Sequence, residues 1–283
     1  MVNKVYTFVG NEQSPLEIFK KLKADRGLTE ADVDRLGITI IGSVDSKAEL
    51  GWAEPNPLIR IPYFGITGEK LADNRGNQLA RYRRTVLNPK GERYTQRAGT
   101  GARHYLPLGV DWLNISRDAD IPIFYTEGEF KAITSSKYLG PTIGNAGVSS
   151  WRGQNGLAEP LQDFEWKGRL VYVVYDAEAT STSGVPLKSN IVKALGELAV
   201  ELRIRGATVR QLLIAKTPSF VEGTKLGVDD YFLTSDDKTR LKAELLATAC
   251  DPVIDEDLAR MFDTYAVFVG TKPPSGVNSC AAA

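Results

Sequence analysis

The sequence predicts an α/β protein in which a parallel sheet flanked by helices follows a smaller, basic α+β subdomain. From about residue 118, short apolar strands alternate with helical segments, a pattern typical of parallel sheets. Residues 170–175 form a continuous apolar run, as expected for a strand buried on both faces. Residues 191–202 carry an apolar stripe at helical spacing, and Gly206 follows as a stop signal.

The first part of the chain lacks this alternation. Residues 1–50 are polar and favour helices, and Thr29 followed by Asp32 resembles a helix N-cap. Residues 55–110 favour β hairpins, with strands predicted at residues 58–64, 79–87 and 93–95. The alternation within the second of these strands places Arg81, Arg83 and Thr85 on one face.

The later elements follow in order along the chain. Strands are predicted at residues 121–126, 141–144, 170–175 and 208–214, and helices at residues 131–138, 190–205 and 236–249. We therefore divide the chain into an N-terminal basic subdomain at residues 1–117, an α/β domain at 118–250, and a C-terminal extension at 251–283 with a loose tail.

Composition excludes several classes of protein. The chain is 42% hydrophobic and 25% charged, as in globular proteins. It has no apolar run near the ~18 residues of a membrane helix and no apolar secretory signal, so a cytoplasmic protein without membrane contact is expected. One histidine, His104, and two cysteines cannot supply a four-ligand zinc site. Any metal must therefore be a hard cation on oxygen ligands.

The charge is zero overall but unevenly spread. Between Arg60 and Arg103 there are ten basic and three acidic residues, so this span carries an excess of seven positive charges. Such a span favours contact with phosphates. The candidate nucleic-acid or nucleotide contacts are Arg81, Arg83, Arg84, Lys90, Arg93 and Arg103, together with Lys225 further along the chain. Tyr82, Tyr94 and Tyr105 lie among them and could stack on bases.

Acidic residues follow the predicted strands of the α/β domain. Glu127 ends the first strand, Asp176 and Glu178 follow the third, and Asp229-Asp230 come after the fourth. Because the carboxyl ends of parallel strands share one edge of a sheet, these side chains are expected to converge. Clustered carboxylates repel one another unless a cation neutralises them, and Mg²⁺ suits such ligands. The sequence therefore predicts a site for Mg²⁺, or Mn²⁺, at Glu127, Asp176, Glu178, Asp229 and Asp230.

Two of these segments resemble known motifs. Tyr-Thr-Glu-Gly-Glu at residues 125–129 and Val-Val-Tyr-Asp-Ala-Glu at 173–178 resemble the Glu-Gly and Asp-x-Asp motifs of the Toprim fold. This fold occurs in primases, in type IA and II topoisomerases and in some nucleases. More narrowly, residues 55–235 resemble Toprim-like replication proteins of phages and plasmids, through the segments 61–64, 81–83, 94–107, 126–132, 143–151 and 225–231.

The resemblance implies roles for particular residues. Glu127 would be a general acid/base or a metal ligand, Asp176 and Glu178 would hold Mg²⁺, and Asp229 or Asp230 would assist. The implied activity is nucleotidyl transfer for primer synthesis in phage or plasmid replication, inside a bacterial host cell. The implied partners are single-stranded DNA or RNA, nucleoside triphosphates and a replicative helicase.

Other interpretations stay open. The family pattern has Asp where this chain has Glu178, and its primases often carry a zinc module that this chain cannot form. A Toprim nuclease and a non-catalytic nucleic-acid-binding module are therefore alternatives. Each acidic residue could also be a solvated strand-end or cap residue, and Asp229-Asp230 could simply cap a helix. His104 is expected to be a local hydrogen-bonding residue rather than a catalyst.

Overall fold

The computed structural model describes residues 14–73, 75–101, 103–153, 156–177, 189–221, 224–254 and 260. The chain divides into two compact units, residues 1–101 and 102–283. Glu178, one of the predicted metal ligands, lies outside the described residues. In the described part of the chain, no helix has the length and apolarity that a membrane crossing requires.

The first unit is an antiparallel sheet with three helices. Its elements are α1 (Pro15–Arg26), α2 (Glu30–Arg35), β1 (Thr39–Ile41), α3 (Ser43–Leu50), β2 (Leu58–Pro62), β3 (Ala80–Arg84) and β4 (Tyr94–Gln96). The strands pair in the order β1-β2-β3-β4, each antiparallel to its neighbour. The predicted Thr29 cap is present, because its hydroxyl accepts from the Asp32 N–H while the Asp32 carboxylate accepts from the Thr29 N–H.

The second unit contains a four-stranded parallel sheet. Its elements are α4 (Trp112–Arg117), β5 (Ile123–Glu127), α5 (Glu129–Tyr138), β6 (Thr142–Asn145), β7 (Arg152–Gly153), β8 (Gly156–Leu157), β9 (Leu170–Val174), α6 (Ser189–Ile204), β10 (Thr208–Leu212), α7 (Val228–Leu233) and α8 (Lys238–Ala247). The sheet has the order β10-β9-β5-β6, and every pair is parallel. The predicted parallel α/β architecture is confirmed.

The central strands β5 and β9 are buried, which explains their continuous apolar runs. Ile123, Val171 and Val173 have no exposed surface. At the β6 edge, Tyr105 and Gly144 exchange backbone hydrogen bonds of 2.8 and 2.9 Å and extend the sheet by one antiparallel bridge. A Cβ on Gly144 would lie 3.1 Å from the Gly128 carbonyl oxygen, so the absence of a side chain there lets β6 approach the start of α5.

Residues 103–117 pack within the second unit, although the sequence assigned them to the first domain. The fully buried guanidinium of Arg169 donates to the carbonyl oxygens of Ile121 (2.8 Å), Ile115 (2.7 Å) and Ser116 (3.3 Å). Trp112 also contacts Phe164, with ring centroids 6.3 Å apart. Arg169 therefore ties α4 to the loop that leads into β9.

Candidate functional site

The carboxyl edge of the parallel sheet collects polar residues from three adjacent strands. β5 and β9 are neighbours, with Thr126 paired to Val174, so Glu127 and Asp176 leave the sheet at the same edge. On the other side of β5, Glu127 pairs with Asn145 at the end of β6. The parallel pairing therefore brings together residues that are far apart in sequence, as the strand-end rule predicted.

Lys131 on α5 makes a close ionic contact at this edge. Its ammonium nitrogen lies 2.6 Å from Asp176 Oδ1 and 2.7 Å from Asp176 Oδ2. The Lys131 side chain is 19% exposed and that of Asp176 is 15% exposed, so both charges are largely withdrawn from water. Lys131 thus donates a hydrogen bond to Oδ2 and lies within ion-pair distance of Oδ1 in the carboxylate that the sequence predicted as a metal ligand.

Asp229 reaches the same place by a different route. Beyond β9, Ala177 and Leu226 exchange backbone hydrogen bonds of 2.9 and 3.2 Å, which align the loop before α7 with the end of β9. A Cβ on Gly227 would lie 2.6 Å from Asp229 Oδ1 and 3.2 Å from Asp176 Oδ1. Asp229 is fully buried in the first turn of α7 and therefore sits beside Asp176.

The charges of these residues act on one another. Burial lowers the pKa of Lys131, but the negative charges of Asp176, Asp229 and Glu127 outweigh it and raise the pKa above its usual value. Lys131 is therefore protonated at neutral pH. All three acidic residues act on this one ammonium group, and we name Glu127, Lys131, Asp176 and Asp229 the acidic cluster.

Buried oxygens without hydrogen-bond partners lie next to the acidic cluster. Asn145 is 1% exposed, and its amide nitrogen donates to the Gly147 carbonyl at 2.6 Å, while its Oδ1 has no hydrogen-bond partner within the described part of the chain. The Tyr175 hydroxyl likewise has no hydrogen-bond partner among the residues that the structure describes, and burial together with the charge of Glu127 raises the pKa of that phenol. Buried polar atoms are normally satisfied, so these oxygens are expected to bind water, an ion or a ligand at this edge.

The backbone conformation at residue 128 explains why the Glu-Gly motif contains a glycine. Gly128 has φ +95° and ψ 148°, a backbone region that residues with a Cβ rarely adopt. Its N–H donates to the Asn145 carbonyl at 2.6 Å, and its own carbonyl accepts from the N–H of Ala132. Gly128 therefore turns the chain from β5 directly into α5, where Glu129 is buried in the first helical turn and Lys131 faces Asp176.

The donor chemistry of this edge fits a hard cation. The described part of the chain contains no group of three or more acidic, histidine or cysteine side chains positioned to hold an ion together. Mg²⁺, however, is commonly bound through one or two carboxylates, water and substrate phosphates. Glu127, Asp176 and the unpaired Asn145 Oδ1 supply oxygen ligands of that kind. Asp230 is half-buried in the first turn of α7.

The first unit carries a basic face on β3 and β4. Arg81 and Arg83 alternate with buried residues and are half-exposed, as the strand pattern predicted. Arg83 pairs with Tyr94 across the strands, and the Arg81 guanidinium lies 4.5 Å from the Tyr94 ring centroid. Burial lowers the pKa of Arg83, and the nearby positive charges of Arg26 and Arg93 contribute in the same direction. This concentration of positive charge favours a phosphate ligand.

Three sequence predictions for the basic region require correction. Arg84 is 7% exposed, and its guanidinium donates to both carboxylate oxygens of Glu54 and to the Tyr94 carbonyl, so it holds the fold and offers no surface for a phosphate. Tyr82 and Tyr105 are buried, at 2% and 1% exposure, and cannot stack on bases. In contrast, Tyr94 is half-exposed on the same face as Arg83.

The remaining predicted contacts lie in both units. Lys90 and Arg93 are exposed in the turn between β3 and β4. Arg103 and Lys225 belong to the second unit: Arg103 is half-buried beside Glu159 at 3.5 Å, and Lys225 is exposed next to the Leu226 bridge. Contact of these four residues with nucleic acid or nucleotide stays a prediction.

His104 is a structural residue, as expected. It is fully buried, and its Nδ1 donates to the Ala158 carbonyl at 3.0 Å. Because Nδ1 carries the hydrogen, Nε2 accepts from the Tyr125 hydroxyl at 2.7 Å. Burial lowers the pKa of His104 to about 4, so the ring is neutral at physiological pH.

Sequence reasoning missed three residues of these sites. Asn145 ends a predicted strand beside Glu127, and the strand-end rule applied to β6 would have found it. Lys131 lies one helical turn after Glu127, but only the tertiary structure reveals its contact with Asp176. Arg26 ends α1 and joins the basic face only through the packing of that helix near Arg83.

Comparison with known proteins agrees with this architecture. A family model described as a domain of unknown function (DUF3854) matches residues 112–239, and no curated protein matches the sequence. The Aquifex aeolicus primase structure (zinc-binding and RNA polymerase domains) aligns with a TM-score of 0.53 and 16% identity, covering 82% of this chain and 56% of that one. This chain thus spans little more than half of that structure.

Two further structures give the same result. The DnaG primase catalytic domain bound to single-stranded DNA aligns with a TM-score of 0.51 and 14% identity, covering 84% of this chain and 73% of that one. A DNA primase domain from Pseudomonas aeruginosa aligns with a TM-score of 0.50 and 14% identity, covering 92% and 78% respectively. The chain therefore has the fold of the DnaG-type primase catalytic core, as its Toprim-like motifs predicted.

Proposed function

We propose that this protein is a primase-like nucleotidyltransferase that synthesises primers on a single-stranded template during phage or plasmid replication. The observation that carries the proposal is the convergence of Glu127, Asp176 and Asp229 at the carboxyl edge of the sheet, in a chain with the primase catalytic-core fold. This edge is where open parallel sheets bind their ligands.

The described residues suggest a division of roles. Asp176 and Glu127, with Glu178 in the predicted third position, would hold Mg²⁺ or Mn²⁺, and Asp229 would orient them. When bound, the ion would neutralise the phosphates and lower the pKa of the attacking hydroxyl. Glu127 is half-buried beside Tyr175 and would accept a proton from the attacking hydroxyl of the primer or nucleotide. Lys131 supplies a positive charge that can also face a phosphate.

The basic face of the first unit is the proposed contact for the template. Arg81, Arg83 and Arg93 would meet phosphates, and the half-exposed ring of Tyr94 would stack on a base. One of the similar structures is a DnaG primase catalytic domain bound to single-stranded DNA, which supports this class of partner. Nucleoside triphosphates and a replicative helicase complete the set of proposed partners.

Primer synthesis tests the proposal directly. The full chain would be incubated with labelled nucleoside triphosphates and single-stranded DNA, with Mg²⁺, Mn²⁺ or EDTA. We expect metal-dependent oligonucleotides whose yield falls at least a hundredfold in Glu127→Gln and Asp176→Asn. Asp163→Asn is the matched control, because Asp163 is exposed in the loop that leads into β9. Template degradation without synthesis would instead identify a nuclease. The absence of both activities would refute the proposal that the protein is an enzyme.

The Lys131 contact favours a second candidate, a non-catalytic nucleic-acid-binding module. In this alternative the ammonium permanently occupies both oxygens of Asp176, and the acidic cluster serves only to stabilise the fold. Binding of single-stranded DNA would then survive EDTA and Glu127→Gln without loss, and no turnover would be seen.

A further inference from the structure

Lys131 occupies the position that a divalent cation would need. Its nitrogen lies 2.6 and 2.7 Å from the two oxygens of Asp176. Mg²⁺ binds carboxylate oxygens at about 2.1 Å. An ion that chelates both oxygens, or that binds either oxygen on the side facing Lys131, would therefore sit against the ammonium group, with like charges close together and little water to screen them. The two cations compete for this side of Asp176.

The charge balance distinguishes this contact from an ordinary buried ion pair. A structural pair matches one negative charge with one positive charge. Here three acidic residues, Asp176, Asp229 and Glu127, all act on the single charge of Lys131. The fully buried Asn145 lies across from Glu127, and its Oδ1 has no hydrogen-bond partner among the described residues. The acidic cluster thus lies beside an acceptor that none of the described protein groups satisfies.

We propose that Lys131 is a tethered counter-ion that competes with the divalent metal for Asp176. Without metal, the ammonium holds the carboxylates together; metal binding displaces it from Asp176 and leaves it available to a nucleotide phosphate. The inference deepens the proposed function and rests on it for the identity of the metal. It makes the affinity for a divalent ion lower than the carboxylates alone would give, because displacement of Lys131 opposes each binding event.

Direct metal binding tests this competition without template, nucleotide or turnover. Mn²⁺ binding to the full chain would be followed by electron paramagnetic resonance of the free ion in wild type, Lys131→Met and Lys131→Gln. Both substitutions remove the charge, and Gln also retains a hydrogen-bonding side chain if Met impairs folding. We expect at least tenfold tighter Mn²⁺ binding in either variant, since a positive charge beside the ligand has been removed.

The control keeps the helix and the type of substitution. Lys137→Met removes an exposed lysine near the end of the same helix and should leave the Mn²⁺ affinity within twofold of wild type. Asp176→Asn combined with Lys131→Met should abolish the gain, because the ligand for which the cations compete is then missing.

Thermal unfolding supplies the second readout. Without metal, Lys131→Met should melt below wild type because carboxylates are left uncompensated, and Mn²⁺ should raise its melting temperature more than that of wild type. The proposal is overturned if the Lys131 variants bind Mn²⁺ no tighter than wild type, if no variant binds it at millimolar concentration, or if Mn²⁺ does not offset their loss of stability. Failure of primer synthesis alone would refute the proposed activity and leave this result unaffected.

Discussion

Arg84 and Glu54 form a two-pronged ion pair inside the first unit. Arg84 Nη2 lies 2.8 Å from Glu54 Oε1, and Arg84 Nε lies 3.1 Å from Glu54 Oε2. The side chains are only 8% and 10% exposed, and the hydrogen bonds from Arg84 hold the pKa of Glu54 below its usual value. Arg84, although it belongs to a basic stretch of sequence, thus forms a buried ion pair, while its neighbour Arg83 faces outward.

Substitution of Arg84 should therefore affect stability. Arg84→Met leaves the Glu54 carboxylate buried without its partner, and we expect the free energy of unfolding to fall by about 3–5 kcal/mol. Arg83→Met, on the opposite face of the same strand, should change it by under about 1 kcal/mol. Urea denaturation measures both, and adding Glu54→Met to Arg84→Met should recover most of the loss. Equal effects of the two arginine substitutions would contradict this assignment.

Substitution of Arg83 should affect the binding of single-stranded DNA. Arg83→Ala removes a positive charge from the basic face, so we expect severalfold weaker binding whatever the sequence of the oligonucleotide. The slope of log affinity against log salt concentration should shrink by about 0.7, the value for one phosphate contact with a single strand. Fluorescence anisotropy across a salt series measures both quantities.

Lys47→Ala is the matched control for this experiment. Lys47 is exposed on α3, and α3 packs on the other face of the sheet, where the Tyr82 hydroxyl donates to Glu49. This variant should bind as wild type does. If the Arg83→Ala variant binds with unchanged affinity and an unchanged salt slope, the basic face is excluded as the template contact.

The buried His104 should make the protein acid-sensitive. Its pKa is about 4 in the folded protein, against an ordinary value of 6.5, so the unfolded chain binds the proton first as pH falls. The stability contributed by neutral His104 is complete above pH 6.5 and is lost as pH falls towards 4, by up to about 3 kcal/mol. Urea denaturation at pH 7 and pH 4.5 gives the stability difference between wild type and His104→Gln at each pH. The change in this difference isolates the contribution of His104, because both proteins contain the same carboxylates. An unchanged stability difference between the two proteins would show that His104 is not responsible.

Gly128 should tolerate no side chain without cost. At φ +95° an alanine is strained although its Cβ would meet no atom within 4 Å, so Gly128→Ala should lower the free energy of unfolding by about 1–3 kcal/mol. Gly147→Ala is the control, because its φ is not positive and its Cβ would make an ordinary 3.5 Å contact with Ser150 Oγ. Thermal unfolding of both variants checks the prediction. A milder effect at Gly128 than at Gly147 would show that the motif glycine is kept for another reason.

The sequence by itself determined the class of fold and the edge on which the site lies. Period-two and apolar-run patterns are local properties of the chain, and a parallel sheet necessarily brings its strand ends together, so Glu127 and Asp176 could be paired in advance. The alternation in β3 likewise separated Arg81 and Arg83 from the buried face. The boundaries of the strands and helices that were predicted differed from the structure by only a few residues, but β1, α4 and α7 were not predicted, and β1 lies in the segment that was expected to be helical.

Only the tertiary structure decided how the charges are distributed among partners. Lys131 and Asp176, or Arg84 and Glu54, are adjacent because helices and loops pack at particular angles, which no local pattern encodes. The alternation along β3 places Arg84 on its inward face. A buried arginine is tolerated, however, only where a carboxylate and carbonyl oxygens accept its hydrogen bonds. The identity of that partner is a long-range property of the fold. The position of Lys131 is a long-range property of the same kind. The sequence predicted these carboxylates as metal ligands, but it did not predict a lysine among them.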